Sequence, residues 1–130
     1  MESKIAVIKR LYEFFKEREL DQIRTLFDEQ IVWSQMDGFP NGGTYVGADA
    51  IFENVFQTFK LKWEDWKAVT EEFLETEHDV MVVGYYSGTF KESGKFFKAD
   101  FIHRYTLKDG KITHFKQYTD TQLIAEAMNV

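Results

Sequence analysis

The sequence predicts an α+β domain in which a curved antiparallel sheet wraps around three helices and leaves a partly hollow, aromatic-lined interior. Two observations predict the layers. Apolar residues recur at helical spacing up to Lys62 and alternate with period two beyond it. The segments after Lys62 are long and separated only by short turns, which makes neighbouring strands antiparallel. A third observation predicts the hollow: 13 Phe, 6 Tyr and 3 Trp in 130 residues are more rings than a flat two-layer core of this length needs, and rings pack with gaps.

In the first helix, Ile5, Ile8, Tyr12 and Phe15 share a face with Leu11 beside them, while Lys9, Glu13, Lys16 and Glu17 lie opposite. Leu20, Ile23, Leu26 and Phe27 form a short second helix. The β-branched and aromatic run Ile31-Val32-Trp33 then suits a strand. Residues 36 to 47 carry Pro40, the only proline, with Gly38, Gly42, Gly43 and Gly47, and are expected to be a loop. A third helix begins at Gly47 and presents Ile51, Phe52, Val55, Phe56 and Phe59 on one face. Four strands follow, at about 63 to 75, 80 to 90, 95 to 107 and 111 to 119, broken by Glu77-His78-Asp79, Glu92-Ser93-Gly94 and Lys108-Asp109-Gly110. Thr119 or Asp120 can cap a last helical segment, Thr121 to Met128.

Composition removes several functions. With 22 acidic against 16 basic residues and a net charge of −6, the chain repels a phosphate backbone, so nucleic acid is not an expected partner. No uncharged stretch is longer than Val80 to Phe90, which falls far short of the ~20 apolar residues of a membrane-spanning helix. Met1-Glu2-Ser3-Lys4 runs into an amphipathic segment without an apolar signal core, and a cytoplasmic single domain over residues 1–130 is expected. Without cysteine there is no disulfide, thiol nucleophile or thiolate metal site, and no serine sits in a nucleophile-elbow pattern. No metal or cofactor is expected.

In the third long strand, Phe97, Ala99, Phe101, His103 and Tyr105 form an apolar set interrupted by one imidazole, and the opposite set is mostly charged. His103 therefore points inward. A two-residue turn at Asp109-Gly110 would set His103 opposite Lys116. A three-residue turn would pair His103 with Phe115 and Phe101 with Gln117, and is preferred because it keeps Lys116 off the aromatic face. That choice collects Phe101, His103, Tyr105, Phe115 and Gln117 on one surface, with Trp33 and Gln35 nearby. Tyr12, Tyr45 and Phe56 complete the expected ligand-binding set, with His103 as the candidate catalytic residue. The alternative is structural: His103 donating to a backbone carbonyl, and Gln117 satisfying Gln35. His78 between Glu77 and Asp79 reads as a solvated turn, His114 as an outer-face residue near Arg104, Asp120 as a cap, and Tyr85 as a packing or lining ring.

The order Leu20-Asp21-x-Ile23-x-x-Leu26-Phe27, Ile31-Val32-Trp33, Tyr45-x-Gly47, Lys108-Asp109-Gly110-Lys111-Ile112 and Gln117-Tyr118-Thr119-Asp120 resembles the nuclear transport factor 2-like superfamily. Within it the chain is most similar to SnoaL-like and ketosteroid isomerase-like proteins, over nearly its whole length. The resemblance implies a cone-shaped α+β barrel with a deep pocket, and a homodimer through the convex side of the sheet. Ketosteroid isomerases place a general-base aspartate where Gln35 stands, an oxyanion-hole tyrosine where Leu11 stands with Tyr12 one residue away, and a protonated aspartic acid where His103 stands. Many polyketide cyclase-like and epoxide hydrolase-like members carry an aspartate at the position of Gln117. Two usual carboxylates are thus amides here. The expected function is binding of a small hydrophobic, carbonyl-containing metabolite, with His103 as acid or base and Gln35 and Gln117 hydrogen-bonding to it. A non-catalytic binding module and an interaction domain acting through the convex face are the alternatives.

Overall fold

The computed structural model describes residues 2–129. Helix α1 (Lys4–Lys16) starts at Ser3, whose hydroxyl accepts from the Ala6 N–H at 3.1 Å, and buries Val7, Ile8 and Leu11. Helix α2 (Leu20–Leu26) ends one residue earlier than the periodicity predicts, because Phe27 is already extended and opens strand β1 (Phe27–Gln35). The segment expected to be a loop contains a short strand, β2 (Gly43–Val46), which pairs antiparallel with β1. Its glycines hid the strand from composition.

The predicted third helix is one rod with a local change of winding: α3 (Ala48–Ile51), a π-helical stretch (Phe52–Phe56) and α4 (Gln57–Lys62). Wider winding lets Phe52, Val55, Phe56 and Phe59 all meet the core or its edge. Strands β3 (Trp63–Glu75), β4 (Asp79–Phe90), β5 (Phe96–Lys108) and β6 (Lys111–Thr119) follow the predicted segments closely, and α5 (Thr121–Met128) is capped by Asp120, whose carboxylate accepts from Leu123 N at 3.3 Å.

The six strands form one curved, unclosed sheet in the order β2-β1-β6-β5-β4-β3. One pair departs from the antiparallel expectation: β1 lies parallel to β6, with Trp33 opposite Phe115 and the two rings stacked at 3.8 Å. Curvature has a local cause at Gly84, where a Cβ would lie 2.0 Å from the Val69 carbonyl oxygen. Side chains of the concave face and the apolar sides of the helices make one buried cluster. Among the described residues, no helix is long and apolar enough to cross a membrane.

The β5–β6 hairpin has the two-residue turn at Asp109-Gly110 rather than the preferred three-residue one, and its ladder beyond the turn differs from both sequence-based expectations. Lys108 pairs with Lys111 around a two-residue turn whose central residues, Asp109 (φ 52°) and Gly110 (φ 79°), are both left-handed. A bulge between Thr106 and Leu107 then shifts the ladder by one residue, so His103 faces Gln117, Tyr105 faces Phe115 and Phe101 faces Thr119. The expected His103–Phe115 and Phe101–Gln117 pairs do not form. The bulge restores the parity of the alternation, so the same residues still point inward.

Candidate functional site

His103 sits on the inner face of β5, 4% exposed, with Phe101 stacked against it at 3.8 Å and 7°. Neither ring nitrogen meets a backbone carbonyl or an amide. Nδ1 lies 2.5 Å from the Tyr12 hydroxyl of α1, and Nε2 lies 2.5 Å from the Tyr86 hydroxyl of β4. Tyr105 donates to the Tyr12 oxygen at 2.8 Å, and the Gln117 amide donates to the Tyr86 oxygen at 2.7 Å. The Gln117 carbonyl accepts from Met36 N at 3.2 Å, so both ends of this amide have a partner and neither partner is Gln35. The anticipated Gln35–Gln117 pair is replaced by two separate attachments.

Burial holds the His103 imidazole neutral by lowering its pKa well below the ordinary ~6.5. Burial likewise raises the phenols of Tyr12, Tyr86 and Tyr105, so all three keep their protons. Proton counting then gives a firm result. A neutral imidazole donates once and accepts once. If Tyr12 donates to Nδ1, then Nε2–H donates to Tyr86, and the Tyr86 hydroxyl hydrogen has no acceptor in the chain of contacts. In the other tautomer Tyr86 donates to Nε2, and the Tyr12 hydrogen is the free one. One phenol hydrogen is left over in either case.

Tyr12 and Tyr86 both line a cavity of about 40 Å³ between the sheet, α1 and the α3–α4 rod, together with His103, Tyr105, Trp33 and Phe115. The cavity has room for about two or three waters and is far smaller than the ~300–1,000 Å³ of sites for drug-sized ligands. No charged side chain lines it. Two further polar groups do. Trp33 Nε1 donates to Gln35 Oε1 at 2.9 Å, and because an indole only donates, the Gln35 amide nitrogen must face away from it. That nitrogen and the Trp66 indole N–H are buried without a partner.

Of the residues selected from sequence, Tyr12, Trp33, Gln35, Phe56, His103, Tyr105 and Phe115 meet at the cavity wall. Phe101 lies behind His103, and Gln117 supports Tyr86 from outside the wall. Tyr45 lies apart, half-buried, its hydroxyl donating to the Asn41 carbonyl at 3.0 Å. Tyr85 faces outward under Lys98, whose ammonium is 4.2 Å from the ring centre. His78 and His114 are exposed, His114 pairs across from Thr106 rather than Arg104, and no metal-holding cluster occurs among the described residues.

Sequence reasoning missed Tyr86 and Trp66. Tyr86 was accessible through the alternation Val80, Val82, Gly84, Tyr86, Gly88, Phe90, which is the buried set of β4. Trp66 was not, because it shares the inner side with Trp63 three residues away, which simple alternation forbids. A bulge after Glu64, with Asp65 at φ 56°, turns Trp66 inward onto Phe59, ring centres 4.2 Å apart.

The sequence profile of the SnoaL-like domain matches residues 8–115. Among solved structures, a nuclear transport factor 2-like protein from Burkholderia thailandensis E264 is 32% identical, with all of both chains covered and a TM-score of 0.96. TerC, co-crystallized with polyporic acid, is 26% identical over 95% of this chain and 96% of its own, with a TM-score of 0.86. A putative isomerase from Bacillus subtilis, 16% identical over 95% of this chain and 91% of its own with a TM-score of 0.79, shares the fold. No curated protein matches.

Proposed function

The chain belongs to the SnoaL-like domain family of the nuclear transport factor 2-like superfamily, and from that membership we propose that it binds a small hydrophobic, carbonyl-bearing metabolite in the aromatic cavity and uses the Tyr12–His103–Tyr86 chain as an acid–base device. The observation that carries this is the unpaired phenol hydrogen at the cavity wall. A buried donor without an acceptor is costly, on the order of 1–3 kcal/mol, and a ligand carbonyl oxygen relieves it.

The chemistry follows from the same contacts. As a carbonyl gains negative charge, the free phenol hydrogen strengthens its bond to that oxygen. Should the phenol give up its proton, the neutral imidazole beside it can supply another through its N–H and take one at its other nitrogen from the second phenol, which is left as the phenolate until the ligand returns a proton. TerC's co-crystallization with polyporic acid supports an organic ligand for this fold. A second reading is retention without turnover. It is favoured by the absence of any carboxylate from the cavity wall, since a neutral imidazole is then the only base there.

The proposal extends to a homodimer through the convex face, where Ile102 and Tyr118 are exposed, and to a cytoplasmic setting. Cell fractionation checks the setting. For the ligand, thermal-shift screening against small ketones and lactones is the test, because a ligand at 100 times its Kd stabilises by about 2.7 kcal/mol. Binding lost in Tyr86→Phe supports the reading; a flat panel removes it. If a hit is turned over, His103→Phe should slow it by about 10²–10⁴. Unchanged turnover would remove His103 from the chemistry, and hits that bind without being turned over would leave retention as the function.

A further inference from the structure

A cavity with room for about two or three waters has no space for a ring-sized metabolite, so the reading above requires part of its wall to yield. Most of that wall is built to stay. Its strands are fixed by the ladders of one sheet, and α1 and the α3–α4 rod by their buried apolar faces. Three of its rings, Phe59, Trp66 and Tyr86, lean on a different kind of neighbour. Phe39 stands against all of them, with ring centres 6.1, 6.0 and 5.9 Å away. It is 4% exposed and is the one buried residue of the turn between β1 and β2, residues 36–42, whose Met36, Asp37, Gly38 and Gly42 face solvent.

Little else holds this turn down. Its backbone hydrogen bonds, Phe39 N to the Met36 carbonyl at 3.0 Å and Gly42 N to the Phe39 carbonyl at 2.8 Å, are internal and travel with it. Residues 37–42 reach the rest of the described chain through two hydrogen bonds: the Asn41 amide donates to the Thr58 hydroxyl, and the Tyr45 hydroxyl donates to the Asn41 carbonyl. Tyr45 belongs to the adjoining β2, so Asn41–Thr58 is the polar tie to the helices. Met36, in contrast, is anchored by its N–H on Gln117. Glycines near both ends, Gly38 at φ 91° and Gly43 at φ 139°, hold backbone conformations that few other residues adopt. A segment with one buried ring, one polar tie to the helices and permissive ends opens at low cost compared with the sheet behind it.

Resting on the ligand-binding reading above, we infer that residues 37–42 form a hinged strap with Phe39 as its plug: the strap swings out, the ring leaves Phe59, Trp66 and Tyr86, and a ligand takes the ring's place beside the Tyr86 hydroxyl. Ring and ligand compete for one space, so the observed affinity is the intrinsic affinity reduced by the fraction of molecules that are open.

NMR relaxation dispersion on the full chain without ligand tests the strap by itself. Microsecond-to-millisecond exchange is expected at residues 37–42 and at the rings of Phe59, Trp66 and Tyr86, and not along α1 or β5. Asn41→Ala cuts the tie to Thr58 and should enlarge the open population about three- to ten-fold, the worth of a neutral hydrogen bond. Cyclohexanone, used as the probe, should then bind tighter by the same factor, through faster association with dissociation unchanged. Phe39→Ala removes the plug and should tighten cyclohexanone further even though the variant melts lower, with circular dichroism confirming the fold. A strap without dispersion, or cyclohexanone binding that is unchanged or weaker in Asn41→Ala or Phe39→Ala, overturns the inference while leaving the ligand site in place. Dispersion in the strap together with binding by neither cyclohexanone nor any ketone of the thermal-shift panel removes the ligand reading instead, and with it the plug's purpose.

Discussion

His103 couples folding to pH in a definite direction. Its native pKa lies below the ordinary ~6.5, so below that pH the unfolded chain takes up a proton that the native state does not. The stability it contributes is complete above pH ~6.5 and is lost as pH falls toward the lowered native value. Urea denaturation between pH 7.5 and 4.5 should show stability dropping with pH, and His103→Phe should flatten that slope. An equal slope in the variant would contradict a buried neutral imidazole. Asp79 does not blur this window. Burial pushes its carboxyl up, but hydrogen bonds from Thr106 and Arg104 outweigh burial and hold it below the usual range, so its contribution is lost only at more acid pH. Tyr86→Phe is a second test at this scale. It strips a partner from both His103 and Gln117 and should cost about 1–3 kcal/mol in the same assay. The inward imidazole was legible because alternation along one strand assigns a face. Its phenol partners were not, since which rings meet across α1, β4 and β5 depends on packing that no local pattern records.

Between elements, the information lies in turns, bulges and close approaches. Gly84 and Gly88 sit on the same strand with the same inward parity, yet the first has backbone 2.0 Å from where a Cβ would be and the second has nothing nearer than 3.4 Å. Gly84→Ala should therefore cost about 3 kcal/mol or fail to fold, while Gly88→Ala should fall within about 1 kcal/mol of the parent by thermal melting. Similar losses from both would mean that the sheet is not bent at Gly84 as described. The β5–β6 hairpin shows why a face can be right when its register is wrong. Asp-Gly signals a two-residue turn, and lysine on the aromatic face argues against the simple ladder that follows from it. The bulge at Thr106 and Leu107 reconciles the two, and a bulge leaves almost no mark in sequence. The same holds at Asp65, where a left-handed residue brought Trp66 inside unannounced.

At the level of the molecule, the strand lengths and the separation of helices from sheet were readable because period-two segments of nine to thirteen residues are strong signals. The size of the hollow was not, because it depends on how rings from three layers interlock, and it came out small. The outer face carries Ile102 and Tyr118 beside half-buried Met81, Val83 and Tyr85. Analytical ultracentrifugation should find a dimer, and Ile102→Glu should shift it to monomer with the melting curve still cooperative. A monomeric parent at tens of micromolar would rule this interface out.

The parallel β1–β6 pair has a consequence for how the chain is made. Trp33 leaves the ribosome early, yet the ring it stacks on, Phe115, belongs to the last strand synthesised. Until then the β1–β2 hairpin has no place in the sheet, and its indole waits uncovered. Docking of that hairpin is the long-range step against which premature association competes during biosynthesis.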